Sequence, residues 1–510
     1  MLLQSMIFPD ICKNQELYFK YNNCKIDNKV VAFSSLDSMM DLSCYFNMFS
    51  YEKWSKYTNC GSIGMQIRVT GSVELIVKHI YLDNLGVNVD ELNHHSLAAE
   101  NSTILTIPFP KIDKGFYSVA FKYPQPDTTI EDIAYVSVDR DYYERDITLG
   151  LCICTYHREQ EILNNITYIR KNILENPRSR LYEKIQLFIS DNASSLKEED
   201  SQYIHIFHNK NYGGSGGFSR AVIEALKTDV THMILMDDDI SFEIEMIERT
   251  YIFLAMLKDE YKNAFLGAAM LMNNNPTIQH AAGETDDLNG IHFDKRYFDL
   301  SKLNMIVMNE KETGSNYLGW WYCAIPRETF EEKGLSYPMF VQYDDIEFSI
   351  RNSECPKITV SGLAVWHEDF EKKKSAVKTY YTIRNRLISH SICYGRIKTN
   401  RRFVECLMKS IGRVRRGFYN EAVLVLKAVD DFLKGPEYIG SLDLTIFNKE
   451  LYEYANSLNE KRGFLAGLVI LSRNISTYVR LILNARKISK EYQSSLHKYT
   501  NKRFWVEKLR

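Results

Sequence analysis

The run Met236-Asp237-Asp238-Asp239-Ile240 closes the apolar stretch Thr231-His-Met-Ile-Leu. Three consecutive carboxylates at the end of a buried strand repel one another and resist desolvation, so a cation or protons must neutralise them. Asp237 and Asp239 alternate along an extended segment and face the same way. Both can supply oxygens to a hard divalent ion such as Mn²⁺ or Mg²⁺, which takes carboxylate, water and phosphate oxygens. Such a site suits a nucleotide diphosphate. A solvated acidic turn is the plain alternative, and the apolar character of the preceding strand argues against it.

At 510 residues the chain exceeds one ordinary core, and its length predicts about three domains. A formal net charge of −2 gives no case for nucleic-acid binding. The ten cysteines include no CxxC pair, which predicts reduced thiols in a cytoplasmic protein. The N-terminus lacks the basic and apolar regions of a secretory signal. Arg473, Asn474 and Arg480 interrupt the most apolar late stretch, Phe464 to Leu483, so any membrane contact is expected to be peripheral.

From Gln15 to about Asp139, short alternating segments punctuated by polar residues and glycine predict an antiparallel β-sandwich, with Trp54 in its core. After Asp146, near-continuous apolar strands (Ile147 to Thr155, Ile185 to Ser190, Met233 to Met236) alternate with amphipathic helices. That rhythm implies a parallel sheet covered on both faces, with ligands at the carboxyl ends of its strands. From about Lys378 the chain is helix-rich and basic, including Arg396, Lys398, Arg401, Arg402, Arg413, Arg415 and Arg416. From Asn484 onward, eight Lys/Arg against two Glu give a formal +6, with Phe504 and Trp505 among them. Aromatics among cations can meet an anionic membrane surface, or the tail can be a solvated helix. The expected boundaries are 1–145, 146–390 and 391–510.

Polar residues follow each central strand: Thr155-Tyr156-His157-Arg158, Asp191-Asn192 and the acidic triplet. Asp191 can accept from a uracil N–H, and Arg158 can approach a pyrophosphate. Asn209-Lys-Asn211-Tyr-Gly213-Gly214-Ser-Gly216-Gly217 opens a helix where backbone can approach a ligand closely. Trp320-Trp321 can stack on a sugar face. Asp344, Asp345 and Glu347 offer carboxylates beside that platform for base catalysis, and His367 is a candidate third metal ligand.

The ordered set CTYHR, SDN, NYGGSGGFSRA, LMDDDI, GWWYCAIP, YDDIEFSIR, AVWHEDF and YYTIRNRL resembles the bacterial galactofuranosyltransferases, inverting members of glycosyltransferase family 2, across Leu149 to about Leu387. The resemblance implies an N-terminal β-sandwich, a central GT-A (Rossmann-like) α/β domain and a C-terminal helical region. It implies Mn²⁺ or Mg²⁺ on Asp237, Asp239 and His367, with Asp345 as base and Asp344 as the neighbour that positions the acceptor. Trp320, Trp321 and Glu347 belong to the sugar and acceptor site. Thr155, Arg158, Asp191, Asn192, Asn211, Gly213, Gly214, Gly216, Gly217 and Asp238 hold the UDP-galactofuranose donor. Tyr380, Tyr381, Arg384 and Asn385 correspond to a helix that meets phosphate. The implied acceptor is a surface glycan or lipid-linked glycan, with the protein peripheral on the inner membrane face. His157 departs from the Asn that relatives often carry there. Competing readings are the same fold with UDP-galactopyranose, a non-catalytic glycan-binding protein, and a nucleotidyltransferase.

Overall fold

A computed structural model describes residues 1–139, 144–197, 201–368, 375–416, 418–458 and 464–509. The N-terminal region forms a nine-stranded antiparallel sheet built around the long hairpin Ile63–Asp83 and Gly86–Pro108. Ile63 to Thr70 pairs with Thr129–Ser137, whereas Glu74 to Ile80 pairs with Phe116–Lys122. The change of partner falls at Gly71, whose φ of +89° and close approach to Thr128 suit only a residue without a side chain. One sheet therefore bends over its own core and nearly closes, where two separate sandwich sheets were expected. Trp54 is buried in that core, as its surroundings predicted.

The central sheet has eight strands. Its order is Ile204–His208, Ile185–Asp191, Leu149–Thr155, His232–Asp237, Tyr322–Pro326, Phe265–Met272 and Asn275–Ala281, with Lys357–His367 also on Phe265–Met272. The first four strands are parallel, and Tyr322–Pro326 runs against both neighbours. The sheet is thus mixed rather than wholly parallel. Chain order reverses at Leu149–Thr155, where an open α/β sheet leaves a crevice between diverging connections.

The two regions share one hydrophobic core and are joined by buried polar contacts just beyond the acidic triplet. Glu243 accepts from the backbone of Ile11 at 3.2 Å and from the Tyr18 hydroxyl at 2.5 Å. The Arg249 guanidinium donates to the carbonyls of Phe46 and Ser5, each at 2.6 Å.

The C-terminal region is helical: Ala376–Tyr394, Thr399–Arg415, Tyr419–Leu433, Pro436–Ser441, Leu444–Ser457, Phe464–Thr500 and Lys502–Lys508. The first of these crosses the expected 390/391 boundary. No described helix is long and apolar enough to cross a membrane. Trp505, read from the sequence as an aromatic for a membrane surface, is instead fully buried. Its indole donates to the Ser336 carbonyl at 2.9 Å, and its ring lies against Gly216. The side chains of Arg402 and Arg415 lie outside the described residues.

Candidate active site

Parallel registry puts Cys154 opposite Asp237 and Thr155 opposite Asp191, so the polar residues after these strands emerge at one level. The turn after Asp237 is pinned by Asn165, whose amide donates to the carbonyls of Asp238 and Ile240 at 3.0 and 3.1 Å. Ser241 then exchanges two backbone hydrogen bonds with Trp366, at 2.9 and 2.8 Å. That short bridge sets His367 beside the triplet although the two are far apart in sequence.

His367 Nε2 lies 3.0 Å from Asp239 Oδ1 and 3.7 Å from Asp237 Oδ2, and one ligand atom from each of the three residues falls within a 4.8 Å group. Its Nδ1 faces the Glu368 carbonyl at 2.5 Å, an outer contact that leaves Nε2 toward the carboxylates. Arg158 Nη1 meets Asp238 at 2.8 Å and Asp239 at 2.5 Å. Burial, opposed by His367 but aided by Asp239 and Asp238, pushes Asp237 up to about 7. Burial alone would lower His367, yet Asp239 and Asp237 raise it. The donor set of two carboxylates and an imidazole fits a divalent metal, and the excess negative charge gives a cation a reason to bind.

A second acidic pair faces this centre. Asp344 and Asp345 open the helix Asp344–Arg351, following Phe340, Gln342 and Tyr343, all at φ near +70°. Non-glycine residues in this region are strained and persist only where neighbours hold them. Asn385 supplies that hold: its buried amide donates toward the carbonyls of Met339, Val341 and Gln342 at 3.0, 2.7 and 2.9 Å. Arg384, also buried, donates to Met339 at 2.8 Å. These two residues therefore buttress the acidic loop, where the sequence had suggested a phosphate contact. Burial raises Asp344 to about 6, while burial and then the Asp344 charge raise Asp345 well above the usual carboxylate range.

Two connected chambers flank Asp237. One, of about 560 Å³, is lined by Asp344, Asp345, Trp320, Trp321, Tyr317 and Arg296, among others. The other, of about 480 Å³, is lined by Arg158, Asn192, Asn211, Gly213, Asp239 and His367, with Asp238. Asp237, Gly214 and Lys378 belong to both. Lys378, in the first turn of Ala376–Tyr394, went unnoticed in the sequence; a Ser-x-x-Lys helix start shortly after His367 was the available signal.

The glycine segment divides. A Cβ on Gly213 would meet the Phe340 carbonyl at 2.1 Å, and one on Gly214 would lie 3.1 Å from Asp344 Oδ2, so these two let the acidic loop approach. Gly216 and Gly217 instead admit Tyr212 and Cys154, whose atoms would lie 2.3 and 2.1 Å from a Cβ. Gly217 serves helix-to-strand packing, and Gly216 makes room for Tyr212 and the Trp505 ring.

Five further candidate residues have protein partners of their own. Asp191 is wholly buried and accepts from the backbone of Ala193, Ser195 and Leu196 at 3.0, 2.7 and 2.8 Å, with His208 at 3.1 Å. It organises its loop and lies behind the chamber walls. Glu347 is likewise buried and bound to Arg351 at 2.7 Å, and neither chamber's lining includes it. Thr155 is buried and hydrogen-bonds Asp238, which lowers that carboxyl against the larger upward push of burial. Trp321 donates to the Ala268 carbonyl at 2.9 Å, and Trp320 stands edge-on to Phe218 and Phe348. Asp369 and Phe370, the end of the AVWHEDF segment, lie outside the described residues.

One acidic centre at a strand end of an α/β sheet and a second at a helix start, facing one cleft that Trp320 and Trp321 also line, suit group transfer to a sugar. The relatives agree, and place the chain among the glycosyltransferases. Its sequence resembles bacterial galactofuranosyltransferases: it is 25% identical over 442 residues to galactofuranosyltransferase GlfT2 of Mycobacterium tuberculosis, covering 80% of this chain and 67% of that one. To GlfT2 of Mycolicibacterium smegmatis it is 24% identical over 461 residues, covering 80% and 66%. The chain thus spans about two thirds of the length of the curated relatives it matches. No family model matches. Among solved structures, a mannosyltransferase from Pyrobaculum calidifontis in complex with GDP-Man and Mn²⁺ overlaps 68% of this chain and 89% of its own, at 11% identity and a TM-score of 0.30.

Proposed function

We propose that this protein is an inverting, metal-dependent galactofuranosyltransferase of GT-A type that moves galactofuranose from UDP-galactofuranose to a glycan or lipid-linked glycan. The observation that carries this reading is the shared wall at Asp237, between a chamber bearing the Asp-Asp-His cluster and one bearing Asp345 beside paired tryptophans. Arg158, Asn192, Asn211 and Lys378 supply polar contacts for the nucleotide diphosphate in the first chamber. The acceptor sugar occupies the second, its apolar face against Trp320 and Trp321.

Asp345 accepts the proton of the acceptor hydroxyl while that oxygen bonds to the anomeric carbon. The bond from that carbon to the phosphate oxygen breaks on the opposite face, its electron pair leaves with UDP, and configuration inverts. Asp344 orients the acceptor beside it. A divalent cation on Asp237, Asp239 and His367 would offset the charge of the diphosphate.

The test is incubation with Mn²⁺, a short galactofuranoside acceptor and either UDP-galactofuranose or UDP-galactopyranose, following UDP release and product mass. Product from the furanose donor alone is expected. Product only from the pyranose overturns the donor assignment, and bound saccharide without turnover of either donor favours a glycan-binding protein.

A further inference from the structure

The chamber that holds Asp345 continues beyond its acidic pair. A short hairpin, Thr285–Asp287 with Gly290–His292, supplies Ile291 to the chamber wall and carries Asn289 into a further cavity of about 580 Å³. Two helices also line both spaces. Ala376–Tyr394 gives Thr382 to the chamber and Arg386 to the outer cavity, while Thr399–Arg415 gives Lys409 to the chamber and Arg401 to the outer cavity. The three elements thus form one groove leading outward from Asp345. From Arg413 back to Arg401 the second helix covers about 18 Å at the usual helical rise, enough for more than one sugar residue. The hairpin is held firmly against the first helix: His390 meets Asp286 at 3.1 Å with both side chains wholly buried, and the Tyr394 hydroxyl donates to the Asp286 carbonyl at 2.6 Å.

Charge changes sign along this groove. Asp237, Asp344 and Asp345 lie at its inner end. At its outer end Lys398 and Arg401 both donate to one neutral oxygen, Asn289 Oδ1, at 2.7 and 3.1 Å. The nearby carboxylates are already matched. Glu405 takes Arg386 at 2.8 Å and Lys409 at 2.5 Å, Glu421 takes Arg413, and Asp287 accepts from the Asn289 amide at 2.9 Å and lies 3.2 Å from His292. Among the described residues, neither Lys398 nor Arg401 has a carboxylate partner. Two cations gathered on one uncharged oxygen repel each other, and an anion between them offsets that repulsion. A phosphate ester fits best, because its oxygens can meet a guanidinium fork and an ammonium together.

We propose that the acceptor is an anionic saccharide bearing a phosphate ester beyond the sugar that reacts, and that Lys398 and Arg401 hold this phosphate while the acceptor hydroxyl lies at Asp345. That assignment rests on the transferase reading and names the acceptor class for it. Lys398 and Arg401 touch no reacting atom; they set which acceptor is preferred. Phosphate within the saccharide and phosphate joining the saccharide to a lipid offer the same chemistry to them.

The test measures kcat/KM of the full chain, with Mn²⁺ and UDP-galactofuranose, on three galactofuranose disaccharides: a neutral methyl glycoside, the same glycoside with a phosphate monoester on its first sugar, and the disaccharide with a methyl phosphate diester at its reducing end. At least one charged disaccharide should exceed the neutral one by about tenfold, through KM rather than kcat, and the advantage should shrink at high salt. The better of the two tells whether the phosphate belongs within the saccharide or at a lipid junction. Lys398→Gln/Arg401→Gln should bring the ratio of charged to neutral acceptor close to one, with circular dichroism and donor KM as checks on folding. Arg401→Lys, which keeps the charge, should retain most of the preference. Equal kcat/KM for all three disaccharides in the wild type, or a ratio that the folded double variant leaves unmoved, overturns the proposal. If no disaccharide is elongated, calorimetry without donor separates the two readings. Phosphate-dependent binding that the double variant loses would overturn the transferase reading and leave the anion subsite standing, whereas equal binding of charged and neutral disaccharides would overturn the subsite.

Discussion

Replacing Asn385 by alanine tests whether the acidic loop is held from behind. The Asn385 amide reaches three carbonyls of the segment before Asp344. Met339 keeps a second donor in Arg384, so the substitution deprives chiefly Val341 and Gln342. A buried carbonyl left without its donor costs about 1–3 kcal/mol, and because Val341 and Gln342 are only half-buried the lower end applies, which puts the local loss near 2 kcal/mol. The left-handed conformations of Phe340, Gln342 and Tyr343 then lack the restraint that offsets their strain. A loss of 2 kcal/mol raises a local opening equilibrium about thirtyfold. Hydrogen exchange should therefore accelerate by at least that factor across residues 339–347. Exchange in the N-terminal sheet should not change. Turnover should fall and donor affinity should weaken with it, because Phe340, Val341 and Gln342 also line the chamber of the Asp-Asp-His cluster. A folded variant whose exchange in 339–347 stays within threefold of wild type, with normal turnover, would refute the bracing role.

Asp345→Asn should lower turnover by about a hundredfold to ten-thousandfold, the usual contribution of a general base. UDP binding by calorimetry should change less than about threefold; loss of UDP affinity would give Asp345 a structural role instead. Gly217→Ala forces a Cβ to within 2.1 Å of Cys154 Sγ and should destabilise by about 1–3 kcal/mol. Adding Cys154→Ala should recover part of that loss in thermal unfolding, and simple additivity would deny the contact. His232 is pulled down to about 4, first by burial and then by Arg145. The unfolded chain therefore binds more protons below pH 6.5, so stability falls as pH drops from 6.5 toward 4, by about 3 kcal/mol in all. His232→Gln should flatten this part of the stability profile, and an unchanged slope would contradict the assignment.

The sequence alone determined the parallel strands at the centre of the sheet and which residues follow them, but not Phe265–Met272, Asn275–Ala281 or Tyr322–Pro326, which make the sheet mixed. Apolar runs ending in Thr155, Asp191 and the acidic triplet can be read from periodicity, and the ordered motifs carry the likeness to glycosyltransferases. Tertiary structure decided which of those side chains reach the cleft. Asp191 and Asp237 both end strands of one sheet, yet Asp191 is occupied by the backbone of its own loop while Asp237 lines both chambers. Glu347 shares a helix with Asp345 but turns to Arg351. Gly216 and Trp505, far apart in the chain, became packing partners, which removed the indole from the surface. Local pattern fixes the direction of a side chain relative to its own strand or helix. Whether its polar atoms remain available to a ligand depends on donors, acceptors and apolar neighbours that distant segments bring into contact, and those contacts exist only in the folded chain.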